Sequence, residues 1–302
     1  MRAIIKKFLT PKKSSREPDT IPVFKKSIVG EQPTIPGVQA PKLIEPPQLI
    51  TACGQSMGQQ RDHNEDALFT FTTILVSDTR HIPFGLYIVA DGMGGHQHGE
   101  EASAIAIRAM ASLVIQKLLV PLLQTKGETP EQSFQEIMHE GILEAHKAII
   151  KQAIGGGTTL TAVLIFGDQM TVAHVGDSRA YLISPSRQVD IITRDHSLVK
   201  RLVELGQITP EEAAIHPQRN VLYRALGQGE PIEPDIISSS FPGDSYLLLC
   251  SDGLWGVVPQ DEMINIITNT PLLHVACQKL LERANLGGGP DNITAILVRY
   301  PS

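Results

Sequence analysis

Cysteine is scarce in this chain: Cys53, Cys250 and Cys277 are the only three among 302 residues, odd in number and widely spaced. That excludes a disulfide framework and points to a reducing compartment, with the cytoplasm as the expected location. No Cys-His cluster is present to hold zinc. No stretch approaches the roughly 20 apolar residues of a membrane span, and the first nine residues lack an apolar core of signal-peptide length. Net positive charge is confined to the N-terminal stretch. The net charge of -6 divides into nine Lys/Arg against four Asp/Glu over residues 1–48, and 17 against 28 over the remainder. A body that acidic is excluded as a general nucleic-acid binder, because affinity for the phosphate backbone rests on Lys and Arg. Ser56, Ser178 and Ser251 lack a Gly-x-Ser-x-Gly setting, which argues against a serine hydrolase. Gly155-Gly156-Gly157-Thr158 lacks the Lys of a nucleotide-cradling loop, and Gly227-Gln228-Gly229 lacks a third glycine at the required spacing. Cys250 sits in an apolar strand with no base beside it and reads as a small core residue.

What is present falls into two parts. Residues 10–48 hold eight of the 21 prolines and no sustained period of 2 or 3.6, so residues 1–48 read as a disordered basic tail whose Lys pairs are solvated charge. From residue 49 to 302 the chain has the apolar content of one folded domain. Residues 67–75 and 85–90 are β-rich runs. A helical stripe runs from 100 to 119 through positions 102, 105, 106, 109, 113 and 114. A second helix is expected to open with Thr129 as its cap, Pro130 at the first position and Gln132 closing a capping box, followed by Phe134, Ile137, Met138, Ile142, Ala145 and Ile149 at helical spacing. Strands follow at 158–166 and 169–175, joined by Gly167-Asp168, then at 179–183, 189–193, 246–250 and 293–299. Helices are expected near 196–205, 260–268 and 272–284. Connections this short force antiparallel neighbours, and meanders around long helices indicate an α+β layered fold.

Acidic residues stand where apolar runs stop: Glu65-Asp66, Asp91-Gly92, Gly176-Asp177, Ser251-Asp252 and Asp291-Asn292. A carboxylate at the end of a buried strand is costly unless paired or bound to a cation. Several converging would form an all-oxygen site for hard divalent metals. Singly, Asp-Gly and Asp-Asn are turn pairs. In order, however, the chain carries Arg61-Asp62-His63-Asn64-Glu65-Asp66, Asp91-Gly92-Met93-Gly94-Gly95-His96, Gly157-Thr158-Thr159, Gly176-Asp177-Ser178-Arg179, Ser251-Asp252-Gly253-Leu254 and Asp291-Asn292. This ordered set resembles the metal-dependent serine/threonine protein phosphatases of the PPM or PP2C family, most closely its bacterial branch, over roughly residues 50–300.

The resemblance implies a four-layer αββα sandwich, two antiparallel sheets flanked by helix pairs. It also implies hydrolysis of phosphoserine and phosphothreonine by a hydroxide bridging two Mg²⁺ or Mn²⁺ ions, with a weak third ion. By the same resemblance Asp91 bridges the metals and the Gly92 carbonyl is a further ligand. Asp252 and Asp291 bind the second metal, Asp66 and Glu65 support the first, Asp177 joins Asp252 at the third, and Arg61 holds the substrate phosphate. Arg179 reads as structural, pairing with an acid near the site. His96 and His98 are either proton donors, metal ligands or loop histidines without catalytic duty; Met93 stands where eukaryotic relatives carry His. Gly256 stands where many relatives carry an acid that assists the third metal. Residues 194–229 resemble the family's flap beside the metal site. The implied partners are phosphorylated proteins and a counterpart serine/threonine kinase, with the chain a monomer. The alternatives are a phosphatase of small-molecule esters and a phosphoprotein-binding pseudophosphatase.

Overall fold

The computed structural model describes residues 48–77, 80–94, 97–124, 132–229 and 231–301. The tail therefore lies outside the described residues except for Gln48, and the fold begins at Leu49, which is buried. Eleven strands occur among the described residues: β1 (Ile50–Ser56), β2 (Asp66–Ser77), β3 (Arg80–Met93), β4 (Gly157–Thr158), β5 (Leu160–Phe166), β6 (Gln169–Val175), β7 (Arg179–Ile183), β8 (Val189–Ile191), β9 (Asp235–Ser240), β10 (Tyr246–Cys250) and β11 (Ile293–Arg299). They form two sheets, ordered β1-β11-β10-β7-β8 and β2-β3-β5-β6-β9, with β4 beside the end of β3. Every pairing is antiparallel.

Side-chain alternation along the strands builds the layers. On β3, Tyr87 and Val89 face the opposite sheet and meet Leu247, Leu249, Ile296 and Val298. The intervening Phe84, Leu86, Ile88 and Ala90 face outward onto helices α1 (Gln97–Val114) and α3 (Phe134–Gln152). On the other sheet Leu248, Cys250, Ala295 and Leu297 bury against α7 (Gln260–Asn269) and α8 (Leu273–Leu286). Helix, sheet, sheet and helix therefore stack as the four-layer α+β sandwich that the sequence led us to expect.

Several boundaries differ from the sequence reading. Helix α3 begins at Phe134, capped by Ser133, whose side chain accepts from the Glu136 amide while the Glu136 carboxylate takes the Ser133 amide. That reciprocal box, not Thr129 and Gln132, satisfies the first-turn donors; Thr129 and Pro130 lie outside the described residues. All six apolar positions expected on its inner face are buried. Helix α1 runs into a π-helical turn (Ile115–Leu119) and a last turn, α2 (Val120–Leu123). By length and composition alone the helix His98–Leu123 is apolar enough to cross a membrane, but it is a core helix. Its apolar side is spent inside the fold: Ala102, Ala106, Met110 and Val114 are fully buried against β3 and α3. Strand β8 stops at Ile191, short of the expected residue 193. Helix α4 (Leu198–Glu204) falls within the expected 196–205, whereas strands β1 and β9 and the short helices α5 (Pro210–Ala214) and α6 (Asp252–Trp255) were not expected.

Candidate metal centre

Both sheets deliver acids to one end of the sandwich. β2 starts at Asp66 and β3 ends just past Asp91, and the two are cross-strand partners. In the other sheet β10 ends at Cys250 and the chain turns through Ser251 into α6, whose first residue is Asp252. β11 starts immediately after Asp291-Asn292, and β7 starts two residues after Asp177. The result is a cavity of about 300 Å³ lined by Arg61, Glu65, Asp91, Gly92, Asp177, Asp252 and Asp291. Asp66 is not on its wall; it lies just behind, almost fully buried. Seven of the eight expected site residues thus meet around one space and the eighth supports it.

The electrostatics of this cluster are those of a site built for cations. Burial, followed by the charges of Asp66, Asp252, Asp177 and Asp291, holds the Asp91 carboxyl well above the usual carboxylate range. Burial and then Asp291 raise Asp252 to about 6, although a hydrogen bond with Asp91 pulls it back. Burial raises Asp66 to about 7 against hydrogen bonds from Thr294 and Ser251. Asp177 is also raised, by burial first and then by Asp252 and Asp195. Asp66 Oδ1 and Asp252 Oδ1 are buried without a hydrogen-bond partner among the described residues, a condition that costs free energy unless something else supplies positive charge. Arg61 is the one Lys or Arg among the described lining residues; its Nη2 donates to Asp291 Oδ2 at 2.7 Å. Among the described residues no three His, Cys, Asp or Glu side chains form a ready-made cage around one point. That sparse set of hard oxygens fits Mg²⁺ or Mn²⁺, which retain waters, and does not fit zinc. Asp91, Asp252, Asp291, Glu65 and Asp66 therefore fit a pair of hard divalent ions.

The main chain around these acids is fixed by hydroxyl and amide groups. The Asp91 amide donates to Thr159 Oγ1 at 2.9 Å, while Thr158 Oγ1 and the Thr159 amide both donate to the Asp91 carbonyl at 2.9 Å. Asn292 spends its whole side chain on scaffold: Oδ1 accepts from the Glu65 amide at 2.8 Å, and Nδ2 donates to the Met57 and His63 carbonyls at 2.9 Å. The Thr158-Thr159 and Asp291-Asn292 motifs are thus joints between strand ends, a role that their residue types alone do not announce. Gly92 has a steric reason beyond ligand approach. A Cβ there would lie 2.2 Å from the Gly99 carbonyl oxygen and 2.6 Å from that of Glu65, so the start of α1 closes onto bare backbone. Gly92→Ala is expected to cost about 3 kcal/mol of stability and to disturb Asp91, measured as a lowered urea midpoint at unchanged slope.

Arg179 pairs with Asp195, Nε to Oδ1 at 2.9 Å and Nη2 to Oδ2 at 2.6 Å, and its guanidinium stacks 3.6 Å from the Trp255 ring centroid. It is structural, as expected. Cys250 is fully buried with its thiol raised, first by burial, in keeping with a core residue. His98 is exposed on the first turn of α1 and is not part of the cavity lining, and His96 lies outside the described residues. The histidine that does line the cavity is His63, which had no role in the sequence reading. Its Nδ1 meets Asp62 Oδ1 at 2.5 Å and its Nε2 meets Glu65 Oε1 at 3.2 Å. Its place two residues after Arg61 was the available signal. From segment 194–229, Asn220 and Leu222 reach the cavity wall, and the segment is tied down by bridges Ser197–Leu222 and Thr158–Leu226.

Two face-to-face antiparallel sheets with helices outside, and a carboxylate cluster at their shared end, define a metal-dependent hydrolase of the four-layer class. A family model, protein phosphatase 2C, matches residues 52–293, and the chain belongs to that family. It is 37% identical over 241 residues to the serine/threonine phosphatase stp of Listeria monocytogenes, covering 80% of this chain and 92% of that protein. The crystal structure of the Mycobacterium tuberculosis serine/threonine phosphatase PstP/Ppp superposes with a TM-score of 0.70 at 32% identity, covering 84% of this chain and 100% of that one. The catalytic domain of PstP in complex with two manganese ions superposes at 0.68 and 31% identity, with 84% and 99% covered.

Proposed function

We propose that this chain hydrolyses phosphoserine and phosphothreonine on proteins. The observation that carries the reading is the convergence of Asp91, Asp252, Asp291 and Glu65 with Arg61 on one cavity, in a chain similar to named serine/threonine phosphatases. Asp91, Asp252, Asp291, Gly92, Glu65 and Asp66 would hold two divalent ions, Mg²⁺ or Mn²⁺, which when bound supply Lewis acidity and hydroxide near neutral pH; Asp177 with Asp252 would hold a weaker third. Arg61 would orient the phosphoryl group, because its planar fork matches two phosphate oxygens. A water nucleophile leaves no phosphoenzyme, so no side chain need be sacrificed as nucleophile. Segment 194–229, through Asn220 and Leu222, would act as the flap that selects the substrate. A cytoplasmic monomer working against a serine/threonine kinase is the cellular setting we infer.

The discriminating experiment compares phosphoserine and phosphothreonine peptides with sugar and nucleotide phosphates under Mn²⁺. We expect kcat/KM higher by on the order of 10²-fold for the peptides. Equal or better turnover of small esters would replace the protein-phosphatase reading. Metal titration calorimetry with no heat of binding would instead favour a pseudophosphatase.

A further inference from the structure

Asp66 is the one expected ligand that does not line the cavity, and its surroundings suggest how it is set. Two hydroxyls converge on the same carboxylate oxygen: Ser251 Oγ and Thr294 Oγ1 each donate to Asp66 Oδ2 at 2.7 Å. All three side chains are almost completely buried. A hydroxyl has a single proton, and here both protons have their direction imposed from behind. Gln55 Nε2 donates to Thr294 Oγ1 at 3.0 Å, so Thr294 must turn its proton away, onto Asp66. The Thr294 amide donates to Ser251 Oγ at 2.9 Å, and the other acceptor near that hydroxyl among the described residues, the Asn292 carbonyl, is 3.4 Å away. The Asp66 main chain is fastened at both ends as well: its amide donates to Asn64 Oδ1 at 3.1 Å and its carbonyl accepts from Gln55 Nε2 at 3.2 Å. Oδ2 is therefore saturated, while Oδ1 is buried with no hydrogen-bond partner among the described residues.

We propose that Ser251 and Thr294, their protons directed by the Thr294 amide and by Gln55, clamp Asp66 Oδ2 so that Oδ1 alone is offered to the metal centre. They are positioning residues for metal binding. The clamp joins the two sheets, since Asp66 opens β2 whereas Ser251 and Thr294 belong to the β10–β11 ends, so it also sets the spacing between Asp66 and Asp252. A carboxylate with both oxygens free could rotate or bind in two modes; one whose second oxygen is tied has one geometry. The inference rests on the metal reading given above, and its test keeps the two separate.

Mn²⁺ affinity is measured by calorimetry, together with the Mn²⁺-induced rise in Tm, for the wild type, Ser251→Ala, Thr294→Val and Thr294→Ser. We expect Ser251→Ala and Thr294→Val each to weaken Mn²⁺ binding by about 10-fold or more, and Thr294→Ser, which keeps the hydroxyl, to stay close to wild type. In an Asp66→Asn background Thr294→Val should add nothing further to the loss of affinity. A purely structural role would instead lower the metal-free Tm in each variant and leave the Mn²⁺ affinity where it was; that result, or Thr294→Ser as impaired as Thr294→Val, would overturn the proposal. Absence of Mn²⁺ binding by the wild type would sink the metal reading itself.

Discussion

Asp91→Asn is expected to remove phosphatase activity while making the metal-free protein more stable. If Asp91 holds the metal ions as proposed, its loss should lower turnover by on the order of 10³-fold, more than the roughly 10- to 100-fold that follows loss of a partner behind a metal ligand. The stability gain comes from the same cluster. Asp91 lies well above the ordinary carboxylate range because of burial and four neighbouring acids, and a carboxyl raised in the folded state opposes folding once it is ionised. The sign can be followed on Asp252, which rises from 3.8 to about 6. Its contribution is fully favourable below the unfolded value near pH 4 and is lost as pH rises through about 6. The cost above that pH is on the order of 3 kcal/mol at about 1.36 kcal/mol per pH unit. In EDTA, the wild type should therefore gain stability on acidification from pH 7.5 to pH 5. Asp91→Asn should show a higher Tm than wild type at pH 7.5 and a flatter pH dependence. With Mn²⁺ the order should reverse, since only the wild type has the full set of negative charges for the ions to bind. Thermal scans at three pH values, with and without Mn²⁺, and p-nitrophenyl phosphate turnover measure all of this. Near-normal turnover, or a metal-free Tm below wild type, would contradict the assignment. Wild-type turnover that survives EDTA would contradict the metal dependence altogether.

What the sequence made legible follows from where free energy is concentrated. Strands β3, β10 and β11 are buried on both faces and read as apolar runs, and their acids stand out because the runs end there. The inner face of α3 was legible for the same reason. Strands β1 and β9 were missed because these two sheet edges carry little apolar signal: β1 buries only Ala52, and β9, Asp-Ile-Ile-Ser-Ser-Ser, has only two apolar residues. Edge strands need little hydrophobicity and carry polar residues that discourage further pairing. The cap of α3 was misplaced because Thr-Pro-x-Gln and Ser-x-x-Glu, four residues apart, satisfy the same pattern, and only the backbone decides which amides need a partner. In the site, the charged residues were legible and their supports were not. Ser251 reaches Asp66 across 185 residues and Asn292 reaches Glu65 across 227. Ser, Thr, Asn and Gln are common enough that no local spacing marks the few that serve as joints. Gly253 belongs with them: a Cβ would stand 2.0 Å from the Asn292 carbonyl oxygen, so the glycine lets the Asp252 turn close against the Asp291-Asn292 loop.

Arg61→Ala is expected to cut kcat/KM for a phosphopeptide by on the order of 10²- to 10³-fold, with only a small change in Tm. The two expectations separate its possible duties. As a surface ion pair with Asp291, Arg61 would be worth little: its side chain is 41% exposed, and such pairs contribute about 0–1 kcal/mol. As the cation of the cavity it has no substitute among the described lining residues. A phosphoryl group entering between Arg61 and the acidic wall needs its charge balanced and its oxygens fixed, and a guanidinium does both through paired donors. Arg61→Lys keeps the charge and loses the fork, so we expect it to recover part of the loss while remaining about 10-fold below wild type. Because Arg61 is itself paired with Asp291, the kinetics should be run at several Mn²⁺ concentrations. A deficit that disappears at high Mn²⁺ would mean that Arg61 acts by holding Asp291 in place. One that persists at saturation, chiefly in KM with Arg61→Lys and in both kcat and KM with Arg61→Ala, places the guanidinium on the phosphate.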